Sequence, residues 1–336
     1  MNSRERVLRA LRFENPDRAP RHLWYLPGVS MFRADELNAV HEKYPDDVAY
    51  APVRYGRAKR ESGTPNEVGT YVDAWGCGWS VGEPGVIGEV KNPPLADWSA
   101  LDTYAPPSEL FDGVDLSAVD AFCAASDQFV LEFFGNPFER MQHLRGTEAL
   151  FMDIAYGSEE VMRLRDLVHG HNLRHLELLC QTRLDGVSFM DDWGSQRNLL
   201  ISPKRWRELF KPLYADYCRI AHAAGKYVFM HSDGNISAIY PDLIEIGVDA
   251  LNSQLFCMDV EDLARRYQGQ ITFWGEIDRQ HVLAFGTPQD VRDAVRRVRT
   301  ALDDGRGGVF AQCEWGINVP RANIEAVFEA WLESGG

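Results

Sequence analysis

The chain reads as an α/β protein, a (β/α)8 TIM barrel with an N-terminal insertion that contains a hairpin. Three observations predict it. Eight short β-branched or aromatic segments recur along the 336 residues. Most are separated by stretches of helix length, which implies a parallel sheet. Two apolar runs end abruptly in residues suited to chemistry, as barrel strands do at their C-terminal ends. Eight strands favour closure over an open doubly wound sheet. No G-x-G-x-x-G follows a first strand and no P-loop signature occurs, so neither nucleotide-binding version of the open sheet is supported.

In chain order, strands are expected over 19–24, 47–53, 128–133, 186–190, 226–231, 249–253, 271–274 and 308–313. Helices are expected over 3–13, 158–181, 203–223, 236–247, 288–303 and 320–333, where apolar residues recur three and four apart. Ser202-Pro203 and Thr287-Pro288 each put a hydroxyl at the N-cap and a proline in the first turn, with Asp290 placed for a capping box. Residues from about 54 to 127 break the rhythm with Gly, Pro and Trp, and read as an insertion into a single barrel domain spanning 1–336. Within it, Tyr71 to Ser80 and Gly85 to Val90 suggest a hairpin over the barrel mouth, as a wall or lid.

Composition narrows the function. A formal net charge of −15 argues against nucleic acid, whose phosphates need clustered Lys and Arg. No apolar run is long enough to span a bilayer, and the N-terminus has no hydrophobic signal core, so a cytoplasmic location is expected and no membrane role. Six cysteines without a CxxC pair suit reduced thiols.

The chemistry concentrates at predicted strand ends. Tyr227 to Asn235 is an apolar run closed by His231, Asp233 and Gly234, and Gly308 to Gly316 repeats the design with a lone Cys313. Taken singly, His231 reads as a hydrogen-bonded core histidine and Cys313 as a small buried hydrophobe. Together, His231, Asp233 and Cys313 offer nitrogen, oxygen and sulfur to one Zn²⁺, with a fourth position left for substrate. Asp191, Asp192 and Trp193 follow the apolar strand 186–190, where Asp192 and Trp193 are candidate substrate contacts. Two adjacent carboxylates can raise one another's pKa, which makes Asp191 a candidate acid, although solvated loop neighbours are the commoner outcome. Glu276 is the best general acid or base after the seventh strand. Asn252 and Gln254 could add polar contacts to a substrate, while Trp24 and Trp315 could wall an aromatic pocket for a flat or methylated ligand. His169, His171 and His175 fall on one long helix and are expected to be a solvated face rather than a metal site.

With these residues in place, the chain resembles the uroporphyrinogen decarboxylase superfamily, which includes zinc-dependent methyltransferases acting with corrinoid proteins and coenzyme M. The resemblance spans nearly the whole chain. It rests on Arg4 to Leu11 with Pro16 to Pro20, on Asp191 to Gln196, on His231 to Asn235, on Gly286 to Val291, and on Pro320 to Ile324. It implies a (β/α)8 barrel with a deep cleft at the C-terminal strand ends. In the methyltransferase branch a histidine, a cysteine two residues on and a cysteine near the C-terminus bind zinc; His231 and Cys313 match, and Asp233 stands where the middle cysteine would be. That change makes the ligand set harder and the zinc a stronger Lewis acid. The decarboxylase branch grips substrate carboxylates with an arginine-rich N-terminal stretch, where this chain reads Leu23 to Ser30 without arginine.

The resulting expectation is a zinc-dependent methyltransferase moving a methyl group between a small methylated donor and a thiol or corrinoid, the latter carried on a partner protein. Glu276 or Asp191 would orient the donor or manage a proton. Two rivals are a metal-free decarboxylase of a porphyrinogen or smaller carboxylated substrate, and a non-catalytic module that binds a corrinoid or tetrapyrrole. The resemblance also makes a homodimer an expectation.

Overall fold

The computed structural model describes residues 1–333. Eleven strands are formed: β1 (Arg21–Tyr25), β2 (Val48–Tyr50), β3 (Gly69–Val72), β4 (Gly78–Val81), β5 (Glu89–Asn92), β6 (Phe129–Gly135), β7 (Gly186–Met190), β8 (Tyr227–Ser232), β9 (Ala250–Ser253), β10 (Thr272–Phe273) and β11 (Ala311–Trp315). Eight of them are parallel and correspond to the eight expected. They form a curled ladder of six in the order β10-β9-β8-β7-β6-β2, and a ladder of two, β1-β11. The ladders meet at a single parallel bridge, Phe273 to Val309, on one side. On the other, the Asp47 N–H donates to the Arg21 carbonyl. This is the TIM-barrel arrangement with its hydrogen-bonded ladder interrupted at both junctions.

Strand alternation sorts the side chains into two cores. Phe129, Leu131, Phe229, Trp274 and Phe310 pack together inside the barrel with Val48 and Ala250. Val228, Met230, Leu251, Phe273, Ala311 and Cys313 belong to the second core, between strands and helices. The first helix, Ser3–Arg12, places Val7, Ala10 and Leu11 against the interior set, and so closes one end of the barrel.

The caps form as expected. Ser202 accepts from the Arg205 N–H, and Thr287 with Asp290 makes a reciprocal capping box. The predicted helix 203–223 is two helices, Pro203–Leu209 and Lys211–Ala223, parted at Phe210 before Pro212. The insertion is more than a hairpin, since β3, β4 and β5 make an antiparallel sheet of three. It is braced on the barrel by Asp73, which accepts from the Trp75 and Cys77 N–H groups, from Trp79 Nε1 and from Arg140 Nη1 at 2.8 Å. Trp75 and Phe111 of the same region pack on His171, which stands on the long helix Glu159–Cys180. His171 and His175 are thus covered rather than solvated, and burial pushes them down to about 3 and about 4 respectively. Among the described residues no helix is long and apolar enough to cross a membrane.

Candidate metal centre at the strand ends

His231 and Asp233 project from the end of β8 toward the barrel mouth, and the loop after β7 brings Asp192 beside them. Ligand atoms of Asp192, His231 and Asp233 all lie within 4.8 Å of one another, and among the described residues no other group of three or more His, Cys, Asp or Glu side chains does so. His231 Nε2 is 3.5 Å from Asp192 Oδ1 and 3.4 Å from Asp233 Oδ1. The Asp233 Oδ1 atom is buried and has no hydrogen-bond partner.

The loops that hold these groups are zipped together. The Gly194 N–H donates to the Asp233 carbonyl, the Asn235 N–H to the Ser195 carbonyl, and the Asp233 N–H to Asp192 Oδ1 at 2.9 Å. Gly234 has φ +76°, and a Cβ there would stand 2.1 Å from the Gly194 carbonyl oxygen. Only glycine permits this approach, which explains why the Asp-Trp-Gly-Ser and Ser-Asp-Gly-Asn stretches occur together.

Asn252 sets the histidine. Its amide N–H group donates to the Trp274 carbonyl, so its Oδ1 faces His231 Nδ1 at 2.7 Å and accepts from it. The Nε2 lone pair therefore points at the two aspartates, which is how metal-binding histidines are commonly oriented. Burial raises the Asp192 carboxyl above its ordinary value; His231 pulls it down and Asp233 pushes it up. A cation placed among these three donors would relieve both burdens, the unpaired Asp233 oxygen and the crowding of two carboxylates, so the donor set fits a divalent metal ion.

Cys313 does not join this set. It lies mid-strand in β11, in register with Leu23, and both belong to the core between strands and helices. Its neighbours Gln312 and Glu314 take the opposite, inward face. The expected trio of His231, Asp233 and Cys313 is thus not assembled; the side chain grouped with His231 and Asp233 is Asp192. Burial raises the Cys313 thiol well above its ordinary value.

Other expected site residues divide. Glu276 is 3% exposed at the mouth, its Oε2 is unpaired, and burial raises its carboxyl well above the usual range against the opposing pull of Arg279. Trp24 stacks at a tilt on His231 with ring centroids 5.1 Å apart. Asp191 is fully buried and accepts from the Phe138 and Glu139 N–H groups and from the Tyr214 hydroxyl, so it anchors the start of helix Pro137–Arg145 instead of meeting substrate. Trp193 and Trp315 are likewise interior. Trp193 stacks on Phe138 at 3.9 Å and donates to Tyr214, and Trp315 donates to the Val319 carbonyl. Gln254 accepts from the Gly234 N–H and serves the loop.

Four residues were missed. Arg279 ion-pairs with Asp233 and Glu314 and lies 3.8 Å from Glu276, tying the ends of β8 and β11 together. Glu139, held by Asp191 through its backbone, is pushed up to about 7, chiefly by burial and then by Asp192. The inward parity of Gln312 and Glu314 was readable from the polar residues alternating with Phe310, had strand parity been weighed.

Comparisons with known proteins give the family and the fold. The uroporphyrinogen decarboxylase (URO-D) family model matches residues 2–333, and the chain belongs to that family. Among solved structures, a methyltransferase from Methanosarcina mazei is similar over 98% of both chains, with a TM-score of 0.70 at 15% identity. A glycosylated endo-beta-1,4-xylanase from Gloeophyllum trabeum gives a TM-score of 0.49 at 11% identity, over 96% of this chain and 99% of that one. No curated protein matches significantly.

Proposed function

We propose that the chain is a zinc-dependent methyltransferase that moves a methyl group between a small methylated donor and a thiol or corrinoid acceptor, with the ion held by Asp192, His231 and Asp233. The observation that carries this reading is the convergence of those three side chains at a barrel mouth, with the histidine tautomer fixed by Asn252. Membership of the URO-D family and the likeness to a solved methyltransferase support it. When bound, the ion would lower the pKa of an acceptor thiol and hold the thiolate for attack on the methyl carbon.

The chain's own groups supply the rest. Trp24 walls the site beside His231. Glu276, whose carboxyl burial raises well above the usual range, would hold or give a proton at the leaving group. Arg279 offsets the charge of Asp233 and Glu314 and leaves the mouth close to neutral once a divalent ion is present. A corrinoid-bearing protein is the partner this reading implies, and a cytoplasmic location and a homodimer go with it.

The decarboxylase reading has less support. Arg279 is already neutralised by carboxylates of the chain and is not free for a substrate carboxylate. The test is methyl transfer to a thiol with and without chelator. Activity lost on zinc removal and restored by zinc supports the proposal; carbon dioxide release retained in EDTA would replace it with the decarboxylase, and cobalamin spectral shifts without product with the binding module.

A further inference from the structure

The Asp47 N–H donates to the Arg21 carbonyl, and beyond that bond β1 and β2 share no backbone hydrogen bond. The gap opens a crevice of about 520 Å³ in the barrel wall, the size of a small-ligand site. Four rings border it: Trp24 and Tyr25 from β1, His41 from the helix Ala34–Lys43, and Tyr50 from β2. Tyr25 and Tyr50 are 43% and 45% exposed, so both rings are open to a ligand. His22 backs Tyr50 from the interior, with ring centroids 5.7 Å apart.

Charge selects the occupant. Asp46 and Glu314 line the crevice, and no Lys or Arg does. Burial lowers His22 and His41 below the ordinary histidine value, so neither supplies positive charge near neutral pH. An anion therefore finds no partner there. Glu314 is already paired with Arg279, and one Asp46 oxygen accepts from the Leu23 N–H at 2.8 Å. The other Asp46 oxygen lies 3.6 Å from His41 Nε2. A guanidinium or a bare ammonium needs several acceptors at once, and one free carboxylate oxygen is too few. A methylated ammonium needs none, because its charge is carried on C–H groups that pack against aromatic faces with a carboxylate alongside.

We propose that this crevice is a binding site for a methylated ammonium group. Trp24 borders both the crevice and the metal centre, its ring centroid 5.1 Å from that of His231, but the crevice binds its ligand without the metal. Choline is the probe, with 3,3-dimethyl-1-butanol as its uncharged isostere and ethanolamine as its unmethylated counterpart. Each is titrated by calorimetry into zinc-loaded and chelator-treated protein at pH 8, above the value of about 7 to which burial raises the Asp46 carboxyl. Choline binds at least tenfold more tightly than either comparator, and equally in both preparations. Tyr50→Ala and Asp46→Asn each weaken it at least fivefold, whereas Tyr50→Phe, which keeps the ring, stays within twofold of the parent. No choline binding, a comparator that binds as tightly, binding that needs zinc, or binding undiminished in both Tyr50→Ala and Asp46→Asn overturns the site. Choline binding to a protein that takes up no zinc would instead sink the metal reading alone.

Discussion

Individual side chains decide what the mouth can do, and Asn252 shows how. It touches no solvent, yet by donating to Trp274 and accepting from His231 it chooses which imidazole nitrogen faces the aspartates. Asn252→Leu is expected to weaken zinc binding by about 10–100-fold, measured by competition with a chromophoric chelator, without loss of secondary structure. Asp46 makes a different prediction. Burial pushes its carboxyl up to about 7, Asp47 adds to this, and the Leu23 N–H opposes it. Its folded pKa exceeds its unfolded one, so its stabilising contribution is complete below about pH 4 and is lost as pH rises through about 7. Asp46→Asn should therefore gain melting temperature relative to the parent as pH goes from 4 to 8; a constant difference would contradict the burial. At this scale the sequence showed His231, Asp233, Asp192 and Glu276 through their place after apolar runs. Cys313 was misplaced because a one-residue error in where a strand ends reverses which face a side chain takes. Arg279 carried no local signal, since its role depends on the approach of Glu314 from 35 positions away.

Elements were more legible than residues, because periodicity reports local backbone while site geometry depends on register. All eight barrel strands lie within or beside their expected ranges, and 186–190 coincides with β7. The helices Ala34–Lys43, Pro137–Arg145, Thr147–Tyr156 and Val260–Tyr267 were not anticipated. Pro137–Arg145 matters most. Asp191 pins its first turn, Glu139 faces the metal donors, and Arg140 grips Asp73 of the insertion while stacking on Trp75 at 5.0 Å. The insertion is thus a fixed wall on the element that presents Glu139, not a free lid. Asp73→Ala removes four hydrogen bonds, one of them charged on both sides, and should cost about 2–3 kcal/mol in denaturant unfolding. Faster proteolysis within residues 54–127 should accompany it, and unchanged cleavage would show that the insertion is held by other contacts.

Across the whole molecule, the barrel gathers at one rim groups that are far apart in sequence. Trp24, Glu139, Asp192, His231, Glu276, Arg279 and Glu314 come from six different strand-end segments. The fold class was legible from the count and spacing of strands. The candidate donor set was only partly so, because the sequence offered a sulfur where the structure groups a second carboxylate with His231. That difference makes the central claim measurable. Zinc K-edge X-ray absorption of the metal-loaded protein reads the ligand atoms directly. A shell of nitrogen and oxygen alone at about 2.0–2.1 Å, lost in Asp192→Asn with His231→Ala and unchanged in Cys313→Ser, is the predicted result. A sulfur scatterer at about 2.3 Å that disappears in Cys313→Ser would contradict it.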